Sequence, residues 1–149
     1  MYKDNACSII GLLETKLDTQ KVQLLKESYF RGWNHHDNFL NHPNGRLLLL
    51  WNPKSVNFQL IEVSLQSLTG LVFDIKTGIT VTLTVIYGLY SIRDRKGLWE
   101  ALMLRARSVK GAWIVAGDFN CPLNASDRSG ARPVTDYEIA DFKLCCLVT

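Results

Sequence analysis

A carboxylate and a carboxamide stand two residues apart in the segment Gly117-Asp118-Phe119-Asn120, which follows an apolar run over residues 112–117. A continuous apolar run followed by turn residues predicts a buried central strand. Alternate residues of an extended chain point to one side, so the side chains of Asp118 and Asn120 are expected to point to the same side at the end of the strand. An ionised Asp can accept a proton from water or bind a hard cation, and Asn can donate to a phosphoryl oxygen. The alternative is an Asp-x-Asn turn that only ends the strand.

Two further polar side chains stand at predicted strand ends. Glu14 follows a short apolar run, and a carboxylate there could hold Mg²⁺, which binds one or two protein carboxylates together with water and substrate phosphate. A surface Glu near a helix start is the alternative. Tyr87 closes a segment in which Thr and aliphatic residues alternate, the period of a strand with two unlike faces. Its phenol could bond a phosphate, although a strand-end Tyr often has a structural role.

The other elements would position these side chains. The sequence predicts a helix over 18–30 with Asp18 or Thr19 as N-cap, and then a polar, turn-rich loop over 32–45. Further strands are predicted over 46–51, 56–64, 70–76 and 79–87, with a hairpin turn at 76–78. A helix over 94–110, a loop over 120–133 and a helix that begins with a capping box at 135–138 complete the chain. This order predicts one α/β domain with a mixed sheet.

Composition is that of an ordinary globular protein, with 47% apolar and 21% charged residues. The net charge of +3 permits weak attraction to a polyanion without indicating a concentrated patch. One predicted helix carries most of the clustered basic side chains, which are expected to form a solvated face rather than a phosphate footprint: Arg93, Arg95, Lys96, Arg105, Arg107 and Lys110. The sequence contains neither a signal-peptide core nor an apolar run of membrane-spanning length, so no membrane contact is expected.

The four cysteines are spaced neither as a CxxC pair nor as a zinc module. Cys145 and Cys146 are neighbours on a predicted helix, where a bond between them would strain the backbone. Reduced thiols, and therefore an intracellular compartment, suit this pattern.

In chain order, the strand-end residues resemble the endonuclease/exonuclease/phosphatase superfamily. Its members include the abasic-site endonucleases, pancreatic deoxyribonuclease and the endonuclease domains of non-LTR retrotransposons. Six segments look like the plant non-LTR (LINE-type) retrotransposon form: residues 11–16, 50–53, 86–88, 117–120, 127–130 and 133–142. The resemblance extends from Ile9 to Leu147.

The resemblance implies a partial four-layer α/β sandwich with mixed sheets flanked by helices. It also implies that Glu14 binds Mg²⁺, that Asp118 activates the attacking water, and that Asn120 positions this water or the phosphate. Tyr87 would steady the phosphate, and Arg128 would face the backbone of a DNA partner. The metal would neutralise charge on the phosphate and the leaving oxygen, and DNA would be nicked to hydroxyl and phosphate ends.

The sequence departs from the family at several points. No segment matches the family's early Asn strand or its late Asp-His pair, and Tyr90 stands where the family commonly has Asn. The three histidines, His35, His36 and His42, lie in the early loop and are expected to be surface residues. Residues 1–149 are therefore expected to form a single incomplete domain, truncated at both ends and weak or inactive. The open alternatives are a DNA-nicking phosphodiesterase, a non-catalytic remnant, and a phosphatase acting on small phosphate esters.

Overall fold

Two β-sheets form the centre of the structure, a computed structural model that describes residues 7–41, 47–128 and 133–149. Sheet A is antiparallel, in the order β1 (Ile9–Leu13), β3 (Leu47–Trp51) and β2 (Asn34–Asp37). Sheet B is mixed, in the order β4 (Val56–Val63), β5 (Ser67–Asp74), β6 (Thr80–Tyr87) and β7 (Trp113–Asp118). Three α-helices flank the sheets: α1 (Thr19–Tyr29), α2 (Ile92–Ala106) and α3 (Asp136–Val148).

The core lies on both faces of β3, whose five residues are all buried. One face, with Leu47 and Leu49, packs against sheet B. The other face, with Leu48 and Leu50, packs against Val22 of α1. Because both faces are covered, the strand is a continuous apolar run rather than an alternating one.

Helices α2 and α3 cover the outer face of sheet B. Ile86 of β6 packs in one cluster with Trp99 of α2 and Phe142 of α3, and these two rings are stacked with centroids 4.8 Å apart. The layers are therefore α1, sheet A, sheet B, and the α2–α3 pair, which confirms the predicted α/β sandwich with sheets flanked by helices. No helix in the described segments combines the length and hydropathy that crossing a membrane requires.

The predicted helix caps and the hairpin turn are confirmed. Asp18 accepts a 2.8 Å hydrogen bond from the amide of Lys21 at the start of α1. Thr135 and Glu138 form a reciprocal capping box at the start of α3. The turn between β5 and β6 contains Gly78 with a φ of 72°, a conformation that glycine adopts without strain.

One buried amide joins the two sheets at one end. Asn38 is 0% exposed and its Oδ1 accepts a 2.9 Å hydrogen bond from the amide of Leu47. Its Nδ2 donates to the carbonyls of Ser64 and Leu65 in the hairpin between β4 and β5. Asn38 thus attaches the start of β3 to this end of sheet B. The strand β6 ends at the same place, since the backbone amide of Tyr87 donates a hydrogen bond to the carbonyl of Gln66 in the same hairpin.

Residues 34–37 were predicted as part of a loop, but they form β2, which pairs with β3. The segment has no apolar alternation, and strand pairing rather than sequence pattern makes it extended. The imidazole of His36 packs against Trp51, with ring centroids 5.2 Å apart, and against Phe58. His35 and His36 are therefore partly buried and not surface residues as expected. His42 lies outside the described residues.

Three other expectations were wrong in their details. β7 is not central: within the described chain it is an edge strand of sheet B, and Ile114 is 50% exposed. Helix α2 ends at Ala106 rather than Lys110. Arg95, predicted on a solvated helix face, is 4% exposed.

Candidate active site

The parallel pair β6 and β7 ends on two of the residues selected from the sequence. Tyr87 lies opposite Asp118 in the last position of the register. Tyr87 is 2% exposed and packs among the residues between the two sheets. Asp118 is exposed. The carboxylate is therefore open to a substrate, whereas the tyrosine ring is mainly a core element whose contact with a phosphate stays a prediction.

Strand β1 runs in the same direction as β6 on the facing sheet. Ile9 and Val81, at the starts of β1 and β6, pack against the same buried cluster around Trp51, and Leu13 packs in the cluster that contains Tyr87. Between them, a Cβ on Gly11 would lie 3.2 Å from Cγ1 of Val85. The C-terminal ends of β1, β6 and β7 therefore lie at one end of the sandwich, and Glu14 follows β1 at that end.

Unusual backbone conformations are concentrated at these strand ends. Within the described chain, the non-glycine residues with positive φ are Glu14 at 51°, Lys16 at 50° and Asn120 at 48°. Such conformations are uncommon for residues with a Cβ, and they cluster at functional sites where the surroundings hold them. Glu14 is within 3.8 Å of the Lys16 ammonium, but both side chains are well exposed and the pair contributes little.

The residues after β7 turn back towards the loop after β6. The amide of Asn120 donates a 2.8 Å hydrogen bond to Oδ1 of Asp118. The side-chain Nδ2 of Asn120 donates to the Gly88 carbonyl at 2.6 Å, and the Gly88 amide donates to the Asp118 carbonyl at 2.7 Å. The Asp-x-Asn segment is thus a turn, and it fixes one carboxylate oxygen of Asp118. The other oxygen, Oδ2, accepts no hydrogen bond from the described residues.

Two glycines, not selected from the sequence as site residues, permit this close approach. A Cβ on Gly88 would lie 2.4 Å from the Phe119 carbonyl oxygen. A Cβ on Gly117 would lie 2.1 Å from the Ile86 carbonyl oxygen, and Gly117 has a φ of 142°. A glycine next to Tyr87 and another next to Asp118, each at a strand end, is the sequence signal that could have predicted this backbone contact.

An open cleft of about 530 Å³ extends from Asn120 to Arg128. Arg128 lies at its edge, and its guanidinium is 3.3 Å from Oε1 of Glu138. Asp127 holds the loop by accepting hydrogen bonds from the amides of Leu123 and Asn124. Arg128 is therefore exposed beside Asn120, where a ligand of opposite charge could reach it.

Two ionisable groups near the cleft have pKa values shifted from their usual ones. Burial raises the pKa of the Cys121 thiol, while the neighbouring Arg95 acts in the opposite direction. The amide of Thr135 lowers the pKa of Glu138, and Arg128 lowers it further. Glu138 therefore remains an anionic partner for Arg128 well into the acidic range, and Cys121 remains a thiol at neutral pH.

A metal at this end would rely on few protein ligands. Within the described ranges no three His, Cys, Asp or Glu side chains form a metal-binding group. Carboxylates at these strand ends belong to Glu14 and Asp118, and both residues are exposed. One or two carboxylates completed by water and substrate phosphate suit Mg²⁺ and not a metal that needs a full protein cage. The residues present fit Mg²⁺ in this sense.

Comparison with known proteins identifies the family. Residues 3–138 match the "Endonuclease/Exonuclease/phosphatase family". No curated protein matches the sequence. Among solved structures, D. rerio TDP2 complexed with a single strand DNA product is 16% identical with a TM-score of 0.56, covering 77% of this chain and 48% of that one.

Two further solved structures share the fold. The mannosyl-6-phosphatase of Bacteroides thetaiotaomicron is 13% identical with a TM-score of 0.59, covering 76% of this chain and 51% of that one. The human Nocturnin catalytic domain with bound sulfate is 15% identical with a TM-score of 0.50, covering 78% and 52%. The chain spans about half the length of these structures. Since the family match covers most of the sequence, the chain belongs to the endonuclease/exonuclease/phosphatase family.

Proposed function

We propose that this chain is a Mg²⁺-dependent phosphodiesterase domain that nicks DNA and descends from a non-LTR retrotransposon endonuclease. The observation that carries the proposal is the common end of β1, β6 and β7. One exposed carboxylate, that of Glu14, follows β1, and another, that of Asp118, ends β7. Oxygen ligands at one end of a sandwich suit a hard cation and a phosphate.

Mg²⁺, when bound, would neutralise the charge that develops on the phosphate and the leaving oxygen. Glu14 would be its ligand. Asp118 is held through Oδ1 by the Asn120 amide, so Oδ2 is available to accept the proton of the attacking water. Of the two Nδ2 hydrogens of Asn120, one goes to Gly88 and the second remains for a phosphate oxygen. As the water passes a proton to Asp118, its oxygen bonds to phosphorus and the bond from phosphorus to the sugar oxygen breaks. The sugar oxygen takes up a proton from solvent, which gives a hydroxyl end and a phosphate end.

DNA as the substrate is supported by two observations. The D. rerio TDP2 structure contains a single strand DNA product, and its fold is similar to this one. Arg128 stands at the edge of the cleft that begins at Asn120, where its guanidinium could pair with a phosphate of the strand. The retrotransposon origin rests on the six sequence segments that resemble that lineage, including the Asp127-Arg128 loop.

Nicking by residues 1–149 alone is expected to be slow, because these residues contain no match to the family's late Asp-His pair or early Asn. Loss of one acid–base or electrostatic group typically lowers a rate by about 10²–10⁴. A phosphatase that acts on small phosphate esters is the second candidate, because a mannosyl-6-phosphatase has a similar fold with a TM-score of 0.59.

The decisive experiment is nicking of supercoiled plasmid by the purified chain with Mg²⁺ and with EDTA. We expect slow nicking that requires the metal and disappears in Asp118→Ala. Glu100→Gln, which removes an exposed carboxylate on α2, is the matched control and should nick as the wild type does. Equal nicking by Asp118→Ala would refute the assignment. Release of phosphate from a small monoester without nicking would favour the phosphatase, and the absence of both reactions would favour the non-catalytic remnant.

A further inference from the structure

The loop between β6 and α2 is held by two buried polar side chains that the sequence did not mark as functional. This loop, residues 88–90, contains the Gly88 carbonyl that accepts the hydrogen bond from Asn120. The two side chains are Gln66, 6% exposed, and Arg95, 4% exposed. Buried polar groups are costly unless they are bonded, so their hydrogen bonds indicate what they stabilise.

Gln66 joins three elements at the end of sheet B. Its Oε1 accepts a 2.8 Å hydrogen bond from the amide of Leu89, and its Nε2 donates to the Asp94 carbonyl at 3.0 Å. Its own backbone carbonyl accepts from the amide of Tyr87 at 2.9 Å. One residue in the hairpin between β4 and β5 therefore fixes the end of β6, the loop and the first turn of α2 relative to one another.

Arg95 reaches the same loop from α2. Its Nη1 donates to the carbonyl of Leu89 at 2.8 Å and to that of Tyr90 at 2.7 Å. Its Nε has no hydrogen-bond partner in the described part of the chain. Burial of a guanidinium with one unbonded donor destabilises the folded protein, so a contribution to stability does not by itself explain why Arg95 is buried. Its two bonded carbonyls lie beside the site.

Together, these bonds satisfy both backbone groups of Leu89, while Asp118 and Asn120 bond those of Gly88. We propose that Gln66 and Arg95 are positioning residues that hold residues 88–90, so that the Gly88 carbonyl keeps the Asn120 amide aimed at the phosphate. The role of Gln66 and Arg95 in turnover rests on the proposed phosphodiesterase function. Their effect on the orientation of the Asn120 side chain does not depend on that function, and it can be measured without any substrate.

The left-handed backbone of Asn120 is consistent with this support. Its φ of 48° is uncommon for residues with a Cβ, and asparagine is among those that adopt it most readily. Loss of the Gly88 acceptor would release the side chain and allow the backbone to relax. Substrate binding through Arg128 should be unaffected, because Arg128 is held by a separate contact with Glu138 of α3.

The test uses Gln66→Leu and Arg95→Gln, with Arg105→Gln as the matched control, an arginine on the same helix that pairs with Glu62. NMR of the side-chain amides, with Asn120 assigned through Asn120→Gly, reports the orientation directly. We expect slow hydrogen exchange of the Asn120 amide in the wild type and in Arg105→Gln. We expect exchange at least about tenfold faster in the two test variants.

Nicking kinetics supply the second readout. Loss of outer partners of catalytic groups typically lowers activity about 10–100-fold, and here the loss should fall on kcat with KM nearly unchanged. Arg95→Lys, which keeps donors for the two carbonyls, should recover part of kcat. An Asn120 amide that stays protected in both variants would overturn the proposal, whatever the activity. If the wild type does not nick, the proposed function fails and the NMR result still decides the positioning role. Should Gln66→Leu not fold, Arg95→Gln, which removes the donors to Leu89 and Tyr90, decides the proposal by the same NMR readout.

Discussion

The carboxamide of Asn120 donates a 2.6 Å hydrogen bond to the carbonyl oxygen of Gly88, and this bond joins the loop after β7 to the loop after β6. The same two loops are joined by the Gly88 amide, which donates to the Asp118 carbonyl. The turn at residues 118–120 is therefore not a free surface turn. It is part of a hydrogen-bonded junction that holds the Asp118 carboxylate at the end of the sheet.

Asn120→Gly should separate the function of this junction from its stability. Glycine adopts the φ of 48° without steric cost, which offsets the loss of a hydrogen bond that contributes about 1 kcal/mol. We expect the free energy of unfolding in urea to change by less than about 1 kcal/mol. Nicking should fall by about 10²–10³, the usual effect of removing one donor aimed at the transition state. Unchanged nicking in a folded Asn120→Gly variant would remove Asn120 from the site.

Gly117→Ala should destabilise the pairing of β6 with β7. A methyl group would lie 2.1 Å from the Ile86 carbonyl oxygen, and the φ of 142° is strained for any residue with a Cβ. We expect a loss of about 1–3 kcal/mol in the free energy of unfolding, measured by urea denaturation. Gly97→Ala is the control: it lies within α2 with open space around it, and alanine there should add about 0.5–1 kcal/mol. Equal effects of both substitutions would contradict this explanation.

The layers of the fold could be predicted from sequence because apolar periodicity and caps determine them locally. The run at β3, the capping box at Thr135 and the stripe of α2 that contains Trp99 each predict one element without reference to the rest. Family membership followed from short motifs at strand ends, and the family match confirms it.

What could not be predicted depends on contacts between distant segments. β2 is extended because β3 offers it a partner, and its own four residues, Asn34-His35-His36-Asp37, have no strand pattern. Arg95 is buried because the loop at Leu89 and Tyr90 folds over it, which helix periodicity cannot reveal. The junction between Asn120 and Gly88 spans 32 positions of sequence, so no local rule could identify the acceptor.

Glu14→Gln should weaken Mg²⁺ binding without disturbing the fold. The side chain is exposed, so the amide can replace the carboxylate sterically, while the charge that attracts the cation is lost. We expect the Mg²⁺ concentration for half-maximal nicking to rise at least about tenfold, as it does when a metal site is disturbed. Glu100→Gln is again the control. An unchanged Mg²⁺ requirement would exclude Glu14 as a ligand.

Cys145 should be the slowest of the four thiols to react with iodoacetamide. All four cysteines are free. Cys145 is 2% exposed, and its burial raises the pKa to about 11, so only about 0.1% is thiolate at pH 8. Cys7 and Cys146 are exposed and should be alkylated first in a mass-spectrometric time course, with Cys121 between them and Cys145. Alkylation of Cys145 at the rate of Cys7 would indicate that α3 detaches from sheet B.

The two described histidines should make the protein less stable on mild acidification. Burial lowers the pKa of His35, an effect that Lys26 increases and Asp37 opposes, and burial likewise lowers the pKa of His36. Each imidazole therefore binds its proton more weakly in the folded protein than in the unfolded chain, whose pKa is 6.5. By linkage, the contribution of the two neutral imidazoles to the free energy of unfolding is complete above pH 6.5. It is lost as the pH falls through 6.5 towards the lower pKa values of the folded protein.

Urea denaturation at a series of pH values between 7.5 and about 5 measures this loss directly. The double variant His35→Gln/His36→Phe should show a flatter profile, since the phenyl ring keeps the packing against Trp51 and Phe58 without titrating. Asp18→Asn is the control, because the lowered pKa of Asp18, caused by the Lys21 amide, acts below 3.8 and leaves this range unchanged. An equally steep profile in the double variant would mean that groups other than these imidazoles take up the protons. The packing of His36 between the sheets would then have no part in the response to pH.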